Sequence, residues 1–364
     1  MASQAPLRVG VIGCGAGSFH LEGYAEEPRA EVVALAGLEE DRCQKLAAKF
    51  GVAHVYRDYT ELLAHPDIQA VSIAAPNILH HPMTLAALKA GKHVLVEKPL
   101  ARTSVEGQEM VDAARDAGLI LAIAFNRRSR HDVVLLRDYV ASGALGRVYH
   151  AKAFWMRRAG IPGLGSWFTS KEAAGGGPLI DLGVHVLDMA LWAMGNPTVN
   201  SVSAATYAEL GPRGKGLWEG TRFTTAPDAK YEVEDFATAF LRLDGGTTLQ
   251  LDTSWAGYTG HTDEFGITLM GNEGGAEIYV KDYAQVGTLR IFGETQGTPS
   301  VTEPRLFPRG GHAQIIHQFV DSILDGKPAN PSGEEGLARV RLIEAIYRSA
   351  EQGREVAIDE QATR

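Results

Sequence analysis

Val9-Gly10-Val11-Ile12-Gly13-Cys14-Gly15-Ala16-Gly17-Ser18 carries the strongest signal for the fold of this chain. An apolar, strand-like run ends there in a cluster of glycines, and a helical segment follows. Glycines at such a point let the backbone turn tightly and approach a pyrophosphate, while the N–H groups of the next helix face the phosphates. Because a strand–helix–strand series follows the cluster, the stretch predicts a dinucleotide-binding parallel sheet.

The first 125 residues alternate short apolar runs with helical segments, which is typical of a parallel sheet with right-handed crossovers. Strands are predicted at Leu7–Ile12, Val32–Ala36, Ala70–Ala74, His93–Val96 and Leu119–Ala124, and further helices at Glu39–Phe50, Pro82–Ala90 and Ser104–Ala117. We therefore expect a Rossmann domain over residues 1–126, with a doubly wound parallel sheet.

The remaining chain has a different pattern, in which a long glycine-containing loop (157–178) precedes a helix and then a run of strands. Helices are predicted at Asp132–Ala141, Gly183–Met194, His312–Leu324 and Glu334–Glu351, strands at Val148–Trp155, Val199–Ala205, Asp235–Leu243, Thr247–Ser254, Phe265–Met270 and Ala276–Val280, and a loop over Ala208–Lys230. Strands joined by turns such as Asp244-Gly245-Gly246 form antiparallel sheets. Residues 127–364 are expected to form an α+β domain with a large, mostly antiparallel open sheet.

Composition narrows the range of partners. The chain has 364 residues and a net charge of −9, which argues against nucleic acid and anionic membranes because both require a basic surface. No apolar run is long enough to span a bilayer, and a strand-like run begins within a few residues of Met1, so we expect no signal peptide. With two cysteines, Cys14 and Cys43, a reducing cytoplasm is the expected compartment, and no metal site is expected.

The ribose-binding position at the end of the second predicted strand departs from the usual pattern. Gly37 stands where an acidic residue normally binds the ribose hydroxyls, which permits NADP. Glu39 follows, however, and Arg42 is the one nearby positive charge, so the sequence favours NAD weakly, with Glu39 on the ribose. Ser18 holds the third glycine position of the turn unless Gly17 serves there in a turn shortened by one residue.

Three further motifs make a family resemblance plain. They are Ala75-Pro76-Asn77 with His80, Glu97-Lys98-Pro99, and the stretch from Gly175-Gly176-Gly177-Pro178 to Asp181 and His185. Together with the glycine turn, these motifs resemble the glucose-fructose oxidoreductase / inositol dehydrogenase / rhizopine-catabolism (Gfo/Idh/MocA) family over nearly the whole chain. The resemblance implies a nicotinamide cofactor, a sugar or polyol substrate, and dimers or tetramers formed through the open sheet. It also implies that the last helices pack back on the first domain.

Ala75 and Gly37 differ from the family pattern, which usually has Thr and Asp there, and this leaves the cofactor contacts open. The resemblance and the position of each residue assign cofactor binding to Gly13, Gly15, Ala16, Gly17, Ser18, Gly37, Glu39, Arg42, Ala75, Pro76, Asn77, His80, Glu97, Lys98 and Asn126. His80 beside His81 has the alternative of a surface pair at a helix start.

The reacting groups are expected to be Lys98, Asp181 and His185. Lys98 follows a predicted strand, at the edge where open α/β sheets bind ligands, and Pro99 restricts its backbone. Asp181 and His185 are four residues apart and share one helix face. In the predicted mechanism His185 takes the hydroxyl proton, Lys98 stabilises the developing charge on the same oxygen, and Asp181 holds a neighbouring hydroxyl. Hydride then passes to the nicotinamide.

Substrate contacts are predicted at Lys98, Asn126, Arg157, Trp167, Asp181 and His185. Asp188 is an alternative partner for the His185 ring. The aromatic residues Trp155, Trp167 and Phe168 have the alternative of packing into the core. Two other functions stay open. One is an NAD-dependent glycosidase or lyase that oxidises transiently with no net redox change. The other is a non-catalytic sugar or dinucleotide sensor, which the presence of all three reacting groups disfavours.

Overall fold

The computed structural model describes residues 5–219 and 229–358, so part of the predicted Ala208–Lys230 loop lies outside the described residues. The described chain divides into two compact units. The first contains residues up to Asn126 together with 310–340, and the second contains 127–309 and the residues from 341 onward. The boundary at Val340 falls inside the last helix.

The first unit is built on a six-stranded sheet, as far as the described residues show, in the order β3-β2-β1-β4-β5-β6 with all neighbours parallel. The strands are β1 (Leu7–Ile12), β2 (Ala30–Ala36), β3 (His54–Tyr56), β4 (Ala70–Ile73), β5 (His93–Val96) and β6 (Leu121–Ile123). The helices are α1 (Gly17–Ala25), α2 (Glu40–Phe50), α3 (Tyr59–Leu63), α4 (Asn77–Lys89) and α5 (Ser104–Ala117). This is the predicted doubly wound parallel sheet.

Helix α9 (His312–Leu324), from near the end of the chain, belongs to the core of the first unit. It buries Ile316 and Phe319 in the same apolar cluster as Leu21 of α1. Gly23 of α1 permits the close approach, since a Cβ there would lie 2.5 Å from Ile316 Cδ1. Burial of each large apolar side chain of this kind contributes roughly 1.5–3 kcal/mol, which fixes α9 on α1.

The second unit contains a nine-stranded sheet among the residues described, in the order β14-β13-β12-β11-β7-β10-β9-β8-β15. All neighbours are antiparallel except the parallel pair β7 and β10. Its strands are β7 (Val148–Arg157), β8 (Val199–Tyr207), β9 (Phe236–Leu243), β10 (Thr248–Ser254), β11 (Asp263–Gly271), β12 (Gly275–Lys281), β13 (Leu289–Thr295), β14 (Thr298–Thr302) and β15 (Val356–Ala357). The predicted open, mostly antiparallel sheet is confirmed.

The helices of the second unit are α6 (His131–Ala141), α7 (Lys171–Ala174) and α8 (Val184–Ala193), and α10 (Gly333–Gln352) crosses the unit boundary. Every residue of α8 is buried, which explains its almost wholly apolar sequence. A turn of π-helix, Leu179–Gly183, leads directly into α8. This turn carries Asp181, and α8 carries His185.

Some predicted element bounds were wrong. The helix predicted from Pro82 begins at Asn77, so Pro82 lies inside it, where its missing N–H costs one helical hydrogen bond. The 157–178 loop contains α7, a helix of four residues whose N-terminus is capped by Ser170 and which is too short to show apolar periodicity. Strands β3, β13, β14 and β15 were not predicted, because they are short or only partly buried.

In the part of the chain that the structure describes, none of the helices has the length and apolar character needed to cross a membrane.

Candidate active site

The glycine turn between β1 and α1 has the geometry of a phosphate cradle. Gly13 has a φ of +102°, and a Cβ there would lie 2.2 Å from the Ala74 carbonyl oxygen, so only glycine fits. No side chain caps the N-terminus of α1 at Ala16, and no acidic residue lies in its first turn. An uncapped helix N-terminus behind a glycine turn suits an anionic group.

Gly17 takes the packing role of the third glycine. A Cβ on Gly17 would lie 3.1 Å from Val11 Cγ1 and 3.7 Å from Ala74 Cβ, so the absent side chain lets α1 approach the sheet. The Ser18 hydroxyl donates back to the Gly15 carbonyl at 2.9 Å. These contacts favour the arrangement in which Gly17 serves as the third glycine.

At the end of β2, Gly37 makes room for a disulfide between Cys14 and Cys43. A Cβ on Gly37 would lie 2.7 Å from Cys14 Sγ and 2.8 Å from Cys43 Sγ. An aspartate at position 37 would therefore collide with both sulfurs, which explains why the usual acid is missing. Sequence reasoning did not predict this disulfide, because 29 residues separate the two cysteines and neither lies in a recognisable pair motif.

Glu39 and Arg42 lie beside this position on the surface. Arg42 Nη1 is 3.5 Å from Glu39 Oε2, and about two thirds of the Glu39 side chain is exposed (64%). The guanidinium that a 2′-phosphate would need is thus already opposite a carboxylate.

The turns that follow β4 and β5 are joined by His80. Its Nδ1 lies 2.7 Å from the Pro99 carbonyl oxygen and its Nε2 lies 2.9 Å from the Ala75 carbonyl oxygen. The ring is fully buried, and burial lowers its pKa. The surface alternative for His80 is therefore wrong, and its ring bonds protein backbone. Asn77 is also buried, at the first residue of α4.

Lys98 lies on the turn after β5 and is partly buried. Its backbone N–H donates to its neighbour Glu97, at 3.2 Å from Oε2. Asn126, in a short 3₁₀ turn after β6, places its amide nitrogen 3.3 Å from Nδ1 of His312. The first unit therefore gathers the predicted residues 97, 98 and 126 at the carboxyl ends of neighbouring parallel strands, where this kind of sheet binds ligands.

In the second unit, the π-helical turn and α8 hold Asp181 and His185. Trp255 Nε1 donates to Asp181 Oδ2 at 3.0 Å, so the position of this carboxylate is set by a fully buried indole. His185 is buried, and its ring lies 5.7 Å from the ring of Trp155. Sequence reasoning selected Asp181 and His185, but it gave no sign of Trp255, which is 74 residues from Asp181.

Glu234 is a residue that sequence reasoning missed. Its carboxylate accepts from the N–H groups of Gly177 (3.0 Å) and Leu179 (3.1 Å) and from the Tyr347 hydroxyl (2.8 Å). These bonds hold the start of the turn that carries Asp181. A Cβ on Gly177 would lie 2.1 Å from the Glu234 carbonyl oxygen, and a Cβ on Gly176 would lie 2.0 Å from Tyr347 Oη, so the glycine run is a packing requirement.

Arg157 is a buried member of a polar cluster on the same sheet. It donates to Asp263 Oδ2 at 2.9 Å and to the Tyr283 hydroxyl at 2.7 Å. Although burial opposes its charge, these two neighbours raise the pKa of Arg157. The guanidinium of Arg127 lies over the rings of Trp155 and Tyr283 at 5.4 and 5.3 Å, and burial lowers the pKa of Arg127 to about 10.

The aromatic residues divide between core and rim. Trp155 is buried, which agrees with the alternative that these aromatic residues pack into the core. Trp167 is partly exposed, and its ring stacks on that of Phe168 with 3.8 Å between centroids. Asp188 accepts from Arg128 through both carboxylate oxygens, each at 2.6 Å. Asp188 therefore anchors the 3₁₀ turn after β6 to α8.

Two family models match this chain. Residues 7–125 match the family described as "Oxidoreductase family, NAD-binding Rossmann fold", and residues 133–277 match the "GFO/IDH/MocA C-terminal domain". The chain is 33% identical to the D-glucoside 3-dehydrogenase of Escherichia coli (strain K12), over 98% of this chain and 99% of that protein. This chain belongs to the GFO/IDH/MocA oxidoreductase family.

Two further relatives of this GFO/IDH/MocA protein are informative. Levoglucosan dehydrogenase of Pseudarthrobacter phenanthrenivorans is 29% identical over 94% of this chain and 96% of its own length. A levoglucosan dehydrogenase structure in complex with NADH and L-sorbose superimposes with a TM-score of 0.85 at 26% identity, covering 98% of this chain and 99% of the other. The family assignment makes this chain an oxidoreductase that acts on hydroxyl groups with NAD or NADP, as the sequence predicted.

Proposed function

We propose that this enzyme oxidises a ring carbinol of a sugar, a sugar derivative or a cyclic polyol, with hexopyranosides as its first candidate substrates. The observation that carries the proposal is the pair of Asp181 and His185 on consecutive helical turns. Asp181 accepts a hydrogen bond from the buried indole of Trp255, and the His185 ring lies beside the buried indole of Trp155. The pair occurs in a chain that is 33% identical over almost its full length to a D-glucoside 3-dehydrogenase.

In the proposed mechanism the His185 imidazole accepts the proton of the substrate hydroxyl. Imidazole is suited to this step because its unperturbed pKa, about 6.5, lies near neutrality. The Lys98 ammonium donates a hydrogen bond to the same oxygen and stabilises the charge that develops as the proton leaves. Asp181, held by Trp255, accepts from a neighbouring hydroxyl and fixes which carbinol is presented.

The dinucleotide, when bound, supplies the hydride acceptor. The glycine turn 13–17 fits its pyrophosphate, because Gly13 tolerates no Cβ and the N-terminus of α1 lacks a side-chain cap. We propose NAD as the preferred form. Gly37 leaves no acid at its position to repel a 2′-phosphate. The Arg42 guanidinium, however, lies opposite the Glu39 carboxylate, which would compete with that phosphate for it.

Substrate contacts beyond the reacting groups are proposed at Arg157, Trp167 and Asn126. Arg157 is held by Asp263 and Tyr283, so its remaining donors point in a fixed direction. The partly exposed indole of Trp167 offers a flat apolar surface of the kind that packs against the CH face of a sugar.

We also propose that the open sheet of the second unit forms subunit contacts. Along β9, Leu241 is buried while its neighbour Phe240 is exposed, and along β12 Ile278 is buried while Tyr279 is exposed. One face of the sheet thus presents aromatic side chains that burial against a second copy would cover. Light scattering should give a dimer or tetramer, and a monomer at micromolar concentration would contradict this part.

The test of the function is a panel of polyols, free hexoses and methyl glycosides, each assayed with NAD and with NADP by nicotinamide absorbance. We expect NADH formation with at least one cyclic sugar or polyol, and weaker activity with NADP. Release of sugar from a glycoside without net NADH would contradict the proposal in favour of a redox-assisted glycosidase. No turnover with any combination would also contradict it.

A further inference from the structure

Three titratable side chains meet behind the Lys98 turn in the first unit. They are His20 from α1, Glu97 at the end of β5, and His312 at the first residue of α9. His20 is fully buried, Glu97 is 8% exposed, and the His312 ring is largely covered. The proposed mechanism uses neither histidine, although both form hydrogen bonds to Glu97, the residue next to Lys98.

Glu97 is the link between these histidines and the lysine. Its Oε1 accepts from His20 Nε2 and from His312 Nε2, both at 2.9 Å. Its Oε2 accepts from the backbone N–H of Lys98 at 3.2 Å. Burial opposes ionisation of Glu97, but the hydrogen bonds from the two imidazoles outweigh it and hold the pKa of Glu97 well below its usual range. A charged carboxylate therefore ties the Lys98 backbone to two helices.

His312 is held in the orientation that this link requires. Its ring stacks on Phe19 with 5.4 Å between centroids and 9° between planes. The Asn126 amide nitrogen lies 3.3 Å from Nδ1 of the same ring. These contacts fix the ring plane and direct Nε2 at Glu97. On the other side of the lysine, His80 holds the Pro99 carbonyl at 2.7 Å, so the turn is restrained at both ends.

We propose that His312, acting through Glu97, is a positioning residue for Lys98. The inference rests on the proposed role of Lys98 in turnover. By this arrangement α9, which begins 215 residues after Glu97, sets the backbone of the catalytic lysine. Loss of the His312 hydrogen bond frees the Glu97 carboxylate to move. The hydrogen bond from the Lys98 backbone N–H to Glu97 then weakens, so turnover falls while the dinucleotide still binds.

A divalent metal is the alternative occupant of the same three side chains, whose ligand atoms lie within 4.8 Å of one another. The hydrogen bonds favour the positioning role. Both imidazole Nε2 atoms point at one carboxylate oxygen, and the other oxygen is taken by a backbone N–H, so three donors satisfy the carboxylate without an ion.

The experiment compares His312→Leu with His312→Gln, using His317→Gln as the control. Glutamine keeps an N–H donor and leucine does not, whereas His317 lies on the same helix with half of its side chain exposed (51%). We expect His312→Leu to lower kcat about tenfold, which corresponds to about 1.4 kcal/mol and is of the order of one hydrogen bond to a charged group. Dinucleotide affinity should change less than twofold, His312→Gln should recover most of kcat, and His317→Gln should match the wild type.

Amide hydrogen exchange at Lys98 provides a readout that does not depend on turnover. It should be faster in His312→Leu than in the wild type and close to wild type in His312→Gln. If no sugar is oxidised but exchange at Lys98 responds in this way, the proposed function fails and the positioning role stands.

Several outcomes would overturn the role of His312. They are wild-type kcat and Lys98 exchange in His312→Leu, equal losses in the Leu and Gln variants, or a loss explained wholly by weaker dinucleotide binding. Stoichiometric zinc binding by the wild type that His312→Leu abolishes would overturn it in favour of a metal site.

Discussion

The Lys98 turn in the first unit and the Asp181 turn in the second are both held by a buried carboxylate, but the partners differ. Glu97 binds two imidazoles and one backbone N–H. Glu234 binds two backbone N–H groups and a phenol. Imidazoles stabilise the charged form strongly and hold the pKa of Glu97 well below its usual range, whereas burial raises the pKa of Glu234 despite its three donors.

Because their hydrogen-bond partners differ, the two turns are sensitive to different substitutions. The Lys98 turn depends on side chains from α1 and α9, so substitution of a distant helix disturbs it. The Asp181 turn is held by backbone N–H donors and by glycines with no room for a Cβ. Since a side-chain substitution cannot remove a backbone N–H, this turn is most sensitive to loss of its acceptor, Glu234.

Glu234→Ala should have the largest effect on stability. It leaves the N–H groups of Gly177 and Leu179 and the hydroxyl of Tyr347 without their acceptor. Each buried donor left unsatisfied costs roughly 1–3 kcal/mol, so the free energy of unfolding should fall by about 3 kcal/mol or more. Urea denaturation measures the loss.

Glu232→Ala is the matched control for Glu234, since this exposed residue accepts a single bond from the Lys171 N–H at 3.2 Å. The control should stay within about 0.5 kcal/mol of wild type. Equal losses in the two variants would show that Glu234 is not an anchor of the Asp181 turn.

Gly37→Asp should destabilise the first unit by about 1–3 kcal/mol, because its Cβ would overpack the two sulfurs. Thermal unfolding measures this effect. Combined with Cys43→Ala, which removes the sulfur 2.8 Å from that Cβ, the aspartate should be better tolerated. If the second substitution gives no recovery, the sulfur pair is not the reason for glycine at position 37.

The pH dependence of stability should have opposite signs for the two carboxylates. Glu97 has a lowered pKa, so its contribution is present above the unfolded value of about 4.3 and is lost as pH falls through the folded pKa. Glu234 has a raised pKa, so its contribution is present below about 4.3 and is lost as pH rises through the folded pKa.

Urea titrations of wild type, Glu97→Gln and Glu234→Gln across this pH range measure both slopes. The difference in free energy of unfolding between wild type and Glu97→Gln should decrease as pH falls. The difference in free energy of unfolding between wild type and Glu234→Gln should decrease as pH rises. Slopes of the same sign would remove the distinction between the two turns.

Elements and residues with a recognisable pattern within a short stretch of sequence could be predicted. Buried parallel strands such as β1 and β5 are continuous apolar runs, and both were predicted with their correct bounds. Lys98, Asp181 and His185 were selected because each lies in a motif at a fixed offset from its neighbours. Edge strands such as β14 were missed, because exposure on both sides leaves no alternation to read.

The supporting residues could not be predicted, because their partners are distant along the chain. Glu234 lies 57 residues from Gly177, and His312 lies 215 residues from Glu97. Such contacts form only when the chain topology brings distant segments together, so the spacing of residues along the sequence does not predict them. The sequence therefore identified the residues proposed to react, but not the residues that hold them in place.

A double-mutant cycle on turnover is the sharpest test of the proposal that Lys98 and His185 act on one substrate oxygen. Lys98→Ala and His185→Ala should each lower kcat by orders of magnitude with dinucleotide affinity intact, and the double variant should be little worse than the poorer single variant. Near wild-type turnover in either single variant, or losses that multiply fully in the double variant, would contradict the account.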